Sequence, residues 1–191
     1  MIKNIIRIIT IILVIELYIG IKQSLFEIKK DYEEKTIINN ILDVKKSNLV
    51  KIDDKKNYEM IIEIPKINLK KIILSKDDKH NNIDENVTIL KESNYPNEFG
   101  NIYIAAHSGY GKHSYFNKLT ELKINNKINI YYKNIKYVYK VVEIKKITKI
   151  ETSSIVTKNK NNLILITCSQ EDKSKYLVVV SNQIKETELN N

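Results

Sequence analysis

The pattern of hydrophobic and polar residues changes twice along the chain and so divides it into three parts. Residues 5–21 are almost continuously apolar, which is typical of a membrane-spanning helix. Residues 22–57 contain neither Gly nor Pro, and their apolar residues recur at roughly helical spacing, which predicts one or two amphipathic helices. From Tyr58 onward the chain consists of short segments rich in Ile, Val and Tyr, which favour strands. The pattern therefore predicts a signal-anchor membrane segment at 1–21, a helical juxtamembrane stalk at 22–57 and a β domain at 58–187.

The apolar segment also indicates on which side of a membrane the β domain lies. Lys3 and Arg7 stand near its N-terminal end, and positive residues there favour an N-in, C-out orientation. Glu16 is costly in lipid, so we expect it near the outer face or protonated. A cleaved signal peptide is the alternative, but residues 17–20 (Leu-Tyr-Ile-Gly) lack an Ala-x-Ala cleavage pattern. We therefore expect an uncleaved single-pass anchor in the cell membrane, with the following domain extracytoplasmic.

Seven segments after this anchor and stalk have the length and composition of β-strands. They are residues 58–64, 67–74, 101–106, 127–132, 136–147, 163–167 and 176–181. Two short helices are predicted between them, at Asp84–Glu92 and Ser114–Glu121. Many short strands with few helices favour a closed or nearly closed β-barrel, so the predicted fold class is mainly β.

The net charge of +9 would suit a polyanionic partner such as a Gram-positive cell wall or a nucleic acid. The positive residues are scattered, however, and the sequence has no aromatic-basic RNA-binding pattern and no paired Cys and His ligands. We therefore expect no nucleic-acid partner and interpret the basic surface first as a solvated one. The acidic pairs at 77–78, 84–85 and 171–172 each have lysines nearby. We interpret these pairs as solvated loops and predict neither a metal site nor a cofactor.

Cys168 is the only cysteine of the sequence, and it ends the apolar run Leu163–Ile166 by way of Thr167. A lone cysteine is commonly a small buried hydrophobic residue. Here it stands where a predicted buried strand meets the polar stretch 169–175, a position that exposes a thiol at the rim of a barrel. Because a single cysteine cannot form a disulfide within the chain, a free reactive thiol is the alternative interpretation.

His107 occupies a similar position, since it follows the apolar segment 102–106 and precedes Ser108-Gly109. A histidine at a strand end commonly does no more than bind a backbone carbonyl. Cys/His catalysis, however, requires the two side chains to be close in space rather than in sequence. One Cys and one His at two strand ends are therefore a candidate pair. His80 and His113 lie in polar stretches, and we assign them no role.

Three features together resemble the sortase family. They are the Thr-Cys strand end at 167–168, the Ala-Ala-His-Ser-Gly segment at 105–109 and the Ile-Pro-Lys-Ile-Asn-Leu segment at 64–69. The resemblance covers about residues 58–184 and keeps the family's order of His before Cys. It implies an eight-stranded β-barrel with short helices, and a membrane-anchored cysteine transpeptidase that recognises a sorting signal of the Leu-Pro-x-Thr-Gly type. In such an enzyme the thiolate attacks the Thr carbonyl, and an amine of peptidoglycan or of a pilin resolves the thioester.

The resemblance also implies roles for individual residues. Cys168 corresponds to the nucleophile, and His107 corresponds to the general acid that protonates the leaving amine and then acts as base toward the incoming one. Thr167, Ser108 and Lys175 are expected to contribute to substrate binding. Neither a metal nor a cofactor is implied.

The sequence departs from the family at the third catalytic position, an arginine at the start of the strand after the cysteine. Tyr176 stands there, preceded by Lys175, and Arg7 is the only arginine of the chain. A guanidinium offers a charged fork of donors to an oxyanion, whereas Tyr176 offers one neutral O–H and Lys175 should point to the opposite face of the strand. We therefore expect Tyr176 to substitute in an enzyme of reduced activity. Packing of its ring at the barrel rim is the alternative.

Three functions remain open from the sequence. The first is a transpeptidase that joins sorting-signal proteins to a peptidoglycan or pilin amine. The second is a hydrolytic or catalytically impaired sortase homologue, and the third is a membrane-tethered β-barrel binding module. The short connection 149–162 and the lack of an Asp-Pro aromatic lid favour a class D-like sortase, although the segments at 64–69 and 105–109 also resemble class B.

Overall fold

The computed structural model describes residues 2–43, 58–150 and 161–189. The chain divides into two units, an N-terminal helix and a β domain. Helix α1 (Ile2–Asp43) runs without a break through the predicted boundary between residues 21 and 22. Its segment Ile2–Asn40 is long and apolar enough to cross a membrane, which is consistent with an N-terminal anchor. The remainder of the predicted stalk, 44–57, lies outside the described residues.

The second half of α1 is stabilised differently from its apolar first half. Asp31 and Lys35 form an ion pair of 2.8 Å one helical turn apart, and Lys29 and Glu33 form a longer one of 4.0 Å. Such i,i+4 pairs stabilise a solvent-exposed helix by a few tenths of a kcal/mol each, about 0.2–0.5 kcal/mol. The segment after the apolar run is therefore suited to an aqueous environment.

Eight strands form a single sheet in the β domain. Their bounds are β1 Tyr58–Ile64, β2 Leu69–Leu74, β3 Thr88–Ile89, β4 Ile102–Ala105, β5 Lys127–Tyr132, β6 Ile135–Thr148, β7 Asn162–Cys168 and β8 Lys175–Glu188. The order across the sheet is β2-β1-β5-β6-β8-β7-β4-β3. The pair β4–β7 is parallel and the other neighbouring pairs are antiparallel. The edge strands β2 and β3 also contact each other, so the sheet nearly closes, which confirms the predicted eight-stranded barrel.

The predicted helix at Asp84–Glu92 is wrong. The side chain of Asn82 accepts hydrogen bonds from the backbone N–H groups of Asp84 and Glu85, both at 3.1 Å, and this stabilises a single turn. The β-branched residues Thr88 and Ile89 then leave the turn and form β3 against β4, as their propensity favours. Of the second predicted helix, Ser114–Glu121, only a 3₁₀ turn at Leu119–Glu121 is present.

Two apolar clusters lie on opposite faces of the sheet. The main core fills the barrel and draws on every strand, with Ile62, Ile73, Ile89, Ile104, Ile130, Tyr139, Leu165 and Val179 among its members. The second cluster covers the outer face of β4, β6, β7 and β8 and consists of Ala105, Ile147, Ile164, Ile166, Val178 and Val180. Strand β7 is therefore buried on both faces, which explains its continuous apolar sequence.

Replacing Leu165 with Ala should destabilise the β domain strongly. Leu165 is fully buried in the barrel, and such a truncation removes apolar contacts and leaves a cavity, at a cost of about 2–5 kcal/mol. The measurement is urea unfolding of the full chain followed by the near-UV circular dichroism of its tyrosines. Ile184→Ala is the control, because Ile184 is 47% exposed and its truncation should cost no more than about 0.5 kcal/mol. Equal losses in both variants would contradict this assignment of the core.

Candidate active site

The parallel pairing of β4 with β7 brings His107 and Cys168 to the same edge of the sheet. Ala105 lies opposite Ile166 in this pair, and the Ala106 N–H donates to the Ile166 carbonyl oxygen at 3.3 Å. Both strands run in the same direction, so the residues that follow their last pairing emerge side by side. The two strand ends that the sequence singled out are thus neighbours in the fold.

Two hydrogen bonds connect these strand ends. The Ser108 hydroxyl donates to the carbonyl oxygen of Cys168 at 2.5 Å, and the Thr167 hydroxyl donates to the carbonyl oxygen of Ala106 at 2.7 Å. Together they fix the backbone on both sides of His107 and Cys168. Thr167 is buried, with 3% of its surface exposed, and both hydroxyls are engaged within the protein. The substrate-binding roles expected for Ser108 and Thr167 remain predictions.

A third contact connects the loops beyond these strand ends. The Gln170 side-chain N–H₂ donates to the Asn117 side-chain oxygen at 2.6 Å and to its backbone oxygen at 2.8 Å. The same Asn117 side-chain oxygen accepts from the Gly109 N–H at 3.0 Å. Asn117 therefore joins the loop after Cys168 to the loop after His107.

Cys168 and Tyr176 lie directly opposite each other on β7 and β8. Alternation along each strand places both on the outer face, because Ile166 and Val178, two residues away on each strand, belong to the outer cluster. The next residue pair is joined by a backbone hydrogen bond from the Ser169 N–H to the Lys175 carbonyl, 2.9 Å. Cys168 and Tyr176 are therefore a non-hydrogen-bonded pair, the kind whose side chains approach most closely. The thiol is partly exposed.

Lys175 is engaged in a different contact from the one expected of a substrate-binding residue. Its ammonium forms a 3.1 Å ion pair with Asp172, and alternation directs it away from the face that carries Tyr176. Hydrogen bonds from Ser174 lower the pKa of Asp172 to about 2, with Lys175 contributing further. This carboxylate is therefore charged at neutral pH. A role for Lys175 in substrate binding remains a prediction.

Lys149 is the cation that accompanies Tyr176. Its ammonium lies 5.6 Å from the centre of the Tyr176 ring, and its backbone N–H donates to the Ser174 carbonyl at 3.2 Å. A cation at this distance from an aromatic face is attracted by it. The sequence pattern gave no indication of this residue, because Lys149 stands at the end of β6, far along the chain from Cys168.

Asp84 is the acidic residue that contacts His107. Its side-chain oxygen Oδ1 lies 3.0 Å from Nε2 of the imidazole. The sequence pattern indicates a solvated acidic pair at Asp84-Glu85. The Asp84 side chain is 85% exposed, and it is also the partner of His107. His113 contacts the same residue, since its Nδ1 lies 2.6 Å from the Asp84 backbone oxygen. No local signal in the sequence indicates either contact, because the residues are 23 and 29 positions apart.

No metal cluster accompanies these residues in the part of the chain that the structure describes. Within residues 2–43, 58–150 and 161–189, no group of three or more His, Cys, Asp or Glu side chains is arranged to hold a metal ion.

The family model described as a Sortase domain matches residues 62–184. The chain belongs to the sortase family. Sortase D of Bacillus subtilis is 31% identical over 109 residues, which cover 56% of this chain and 52% of that protein. The chain thus spans about half the length of this relative. The match confirms the family predicted from the strand-end motifs and is compatible with a class D-like sortase.

Solved sortase structures share the fold. Sortase A of Listeria monocytogenes superposes with a TM-score of 0.60 at 23% identity, covering 71% of this chain and 92% of that one. The sortase D5 transpeptidase of Clostridium perfringens superposes with a TM-score of 0.57 at 20% identity, covering 67% of this chain and 79% of that one. At these identities the likeness extends to the barrel and not to the chemistry of individual residues.

Thr167→Val should destabilise this sortase although the two side chains have nearly the same shape. The change removes the donor to the Ala106 carbonyl, and loss of a buried partner of this kind costs about 1–3 kcal/mol. Urea unfolding of the full chain measures the difference. Thr187→Val on the exposed end of β8 is the matched control and should change stability by no more than about 0.5 kcal/mol. Unchanged stability in Thr167→Val would show that this hydrogen bond does not stabilise the strand ends.

Proposed function

We propose that this sortase-family protein is a membrane-anchored cysteine transpeptidase. It cleaves a sorting signal of the Leu-Pro-x-Thr-Gly type through a thioester on Cys168 and transfers the acyl group to a peptidoglycan or pilin amine. The observation that most supports the proposal is the meeting of His107 and Cys168 at one sheet edge, with their backbones joined by the Ser108 and Thr167 hydrogen bonds.

The chemistry follows from a thiol and an imidazole at this edge. The Cys168 thiolate attacks the carbonyl carbon of the scissile peptide, forms a C–S bond and pushes the electron pair onto the oxygen. When the C–N bond breaks, His107 donates a proton to the leaving amine nitrogen. The acceptor amine then attacks the thioester, His107 takes up its proton, and the C–S bond breaks to restore the thiolate. Dividing one amide exchange into two steps keeps the acyl group activated for the second amine.

The oxyanion of the tetrahedral intermediates needs donors, and the chain has no arginine after Arg7. Tyr176, directly opposite Cys168, supplies an O–H donor in this proposal. Lys149, held over the Tyr176 ring, supplies the positive charge that a neutral phenol lacks. Lys175 does not, because its ammonium is paired with Asp172. A guanidinium combines a directed donor with a fixed charge. In this proposal Tyr176 supplies the donor and Lys149 supplies the charge.

The proposed location follows from helix α1. An apolar helix of this length is suited to span a bilayer, and Lys3 and Arg7 near its N-terminal end favour a single pass with the β domain outside. On that side the domain would meet proteins that carry a C-terminal sorting signal, together with the amines of a Gram-positive cell wall. The net charge of +9 is suited to an anionic envelope.

A second candidate function, hydrolysis of the same thioester, is favoured by the missing arginine. An acyl-enzyme whose amine acceptor binds poorly is resolved by water instead, and its product is a free acid. The two functions share the Cys168 thioester and differ in the second step.

Incubation of the full chain with a panel of sorting peptides should give an acyl adduct on Cys168, detected by mass spectrometry. Added amine acceptor should convert peptide into an amide product, whereas a hydrolase would release free acid with or without acceptor. Cys168→Ala should give neither adduct nor product. Absence of any adduct across the panel, with Cys168 also inert toward a charged thiol reagent, would reject the enzyme and favour a binding module.

The two proposed oxyanion groups can be separated by substitution. Tyr176→Phe should lower the rate of acylation by about 10²–10³, the effect expected for loss of an oxyanion donor. Lys149→Met should lower the same rate while keeping the ring. Lys175→Met should leave the rate at saturating peptide within about threefold, as expected for an exposed ion pair away from the reacting atoms. The measurement is the single-turnover rate of adduct formation. A larger loss in Lys175→Met than in both other variants would overturn the assignment.

A further inference from the structure

The proton position on His107 follows from its contact with Asp84. Nε2 of the imidazole lies 3.0 Å from the Asp84 carboxylate, and an ionised carboxylate accepts hydrogen bonds and donates none. Nε2 must therefore carry a hydrogen in this contact, both in the neutral ring and in the imidazolium. The proton that His107 gains and loses is then the one on Nδ1. In the described parts of the chain Nδ1 of His107 makes no hydrogen bond, so this nitrogen is available to a substrate.

The loop that carries Asp84 is held in place by side chains, so the carboxylate is presented in a defined position. Asn81 forms two hydrogen bonds with the backbone of Ile89, at 2.9 and 3.2 Å. These bonds tie the start of the loop to β3. Asn82 accepts from the N–H groups of both Asp84 and Glu85, which defines the turn itself.

A second set of contacts holds the loop from the side of the His107 segment. His113 donates from Nδ1 to the Asp84 carbonyl at 2.6 Å, because a backbone oxygen is only an acceptor. The Tyr115 hydroxyl donates to the Glu85 carbonyl at 3.3 Å. The segment that follows His107 is thus hydrogen-bonded to the Asp84 turn, and these bonds hold the carboxylate and the imidazole in a defined relative position.

We propose that Asp84 is a positioning residue for His107. Its carboxylate orients the imidazole and selects the Nε2–H tautomer, which directs Nδ1 to the proton transfers at the Cys168 site. In this role the Asp84 carboxylate accepts the Nε2–H hydrogen bond and takes no part in the proton transfers. The inference rests on the proposed function for its catalytic consequence, whereas the tautomer itself is a property of the free protein.

The solvent exposure of Asp84 and His107 limits what their contact contributes to folding stability. With 85% of the Asp84 and 41% of the His107 side-chain surface accessible, solvent screens the attraction, and such pairs contribute little to folding stability. Asp84 therefore acts on ring orientation and proton position rather than on the fold. This separates a positioning role from a merely structural one, because the melting temperature should hardly change when Asp84 is replaced.

The test compares Asp84→Asn with Asp77→Asn in the full chain. Asp77 is exposed and precedes the same loop, so its replacement changes the charge equally without touching His107. Asp84→Asn should lower kcat for amine transfer by about tenfold, less than the 10²–10⁴ that a general acid and base supplies. KM should stay within about twofold, because the interaction acts in the transition state. Asp77→Asn should behave as wild type, and Asp84→Glu should recover most of the lost kcat.

Nitrogen-15 NMR of histidine-labelled protein gives the second measurement. The wild-type spectrum should show His107 as the Nε2–H tautomer, and Asp84→Asn should show a mixture of both tautomers, with the His107 signals assigned by a His107→Gln variant. The positioning role is overturned if the tautomer populations do not change, or if Asp77→Asn lowers kcat as much as Asp84→Asn. If the wild type forms no Cys168 adduct with any sorting peptide, the proposed function fails, and the tautomer measurement still decides whether Asp84 orients the ring.

Discussion

The parallel pairing of β4 with β7 is the constraint on which the candidate site depends. Two parallel neighbours cannot be joined by a tight turn, and here β5 and β6 lie between them along the chain. The hydrogen bonds that join the strand ends consequently link residues 60 and 61 positions apart. The sequence neighbours of His107 and of Cys168 do not by themselves bring these two residues together. The site is thus a product of long-range strand pairing, and a chain that has not paired β4 with β7 has no such pair of strand ends.

Much of this arrangement could be predicted from the sequence, because the strands carry strong patterns. The continuous apolar run before Cys168 indicated a strand buried on both faces, and the two apolar clusters on either side of β7 confirm it. The pairing of β7 with β8 places Tyr176 opposite Cys168, whereas the catalytic role expected of Tyr176 stays a prediction. The strand β3 was missed because Thr88 and Ile89 follow an acidic turn that resembles the start of a helix. There, the Asn82 side chain accepts hydrogen bonds from the Asp84 and Glu85 N–H groups at the start of a single turn, and Thr88 and Ile89 leave that turn to pair with β4.

The contacts that could not be predicted involve charged residues on loops. Asp84 approaches His107 from a loop before β3, and Lys149 approaches Tyr176 from the end of β6. Such residues have no periodicity to reveal them, and near lysines and asparagines they resemble ordinary solvated surface. Their exposure also means that their fields are screened by water and salt. In this barrel the strands set where the reacting groups stand, while the loops supply the charges around them.

The lone cysteine has a consequence for the chemical durability of the protein. Oxidation of a thiolate first gives a sulfenic acid, which a neighbouring thiol ordinarily captures as a disulfide and so protects from further oxidation. Cys168 is the only cysteine of the chain and is partly exposed, so no resolving thiol exists within the molecule. Rescue of an oxidised molecule therefore depends on a thiol from another molecule, and without one the sulfur proceeds to sulfinic acid, which ordinary thiols do not reverse. The time for which the protein keeps a reduced Cys168 thiol is then set by the surrounding redox chemistry as much as by the stability of the barrel.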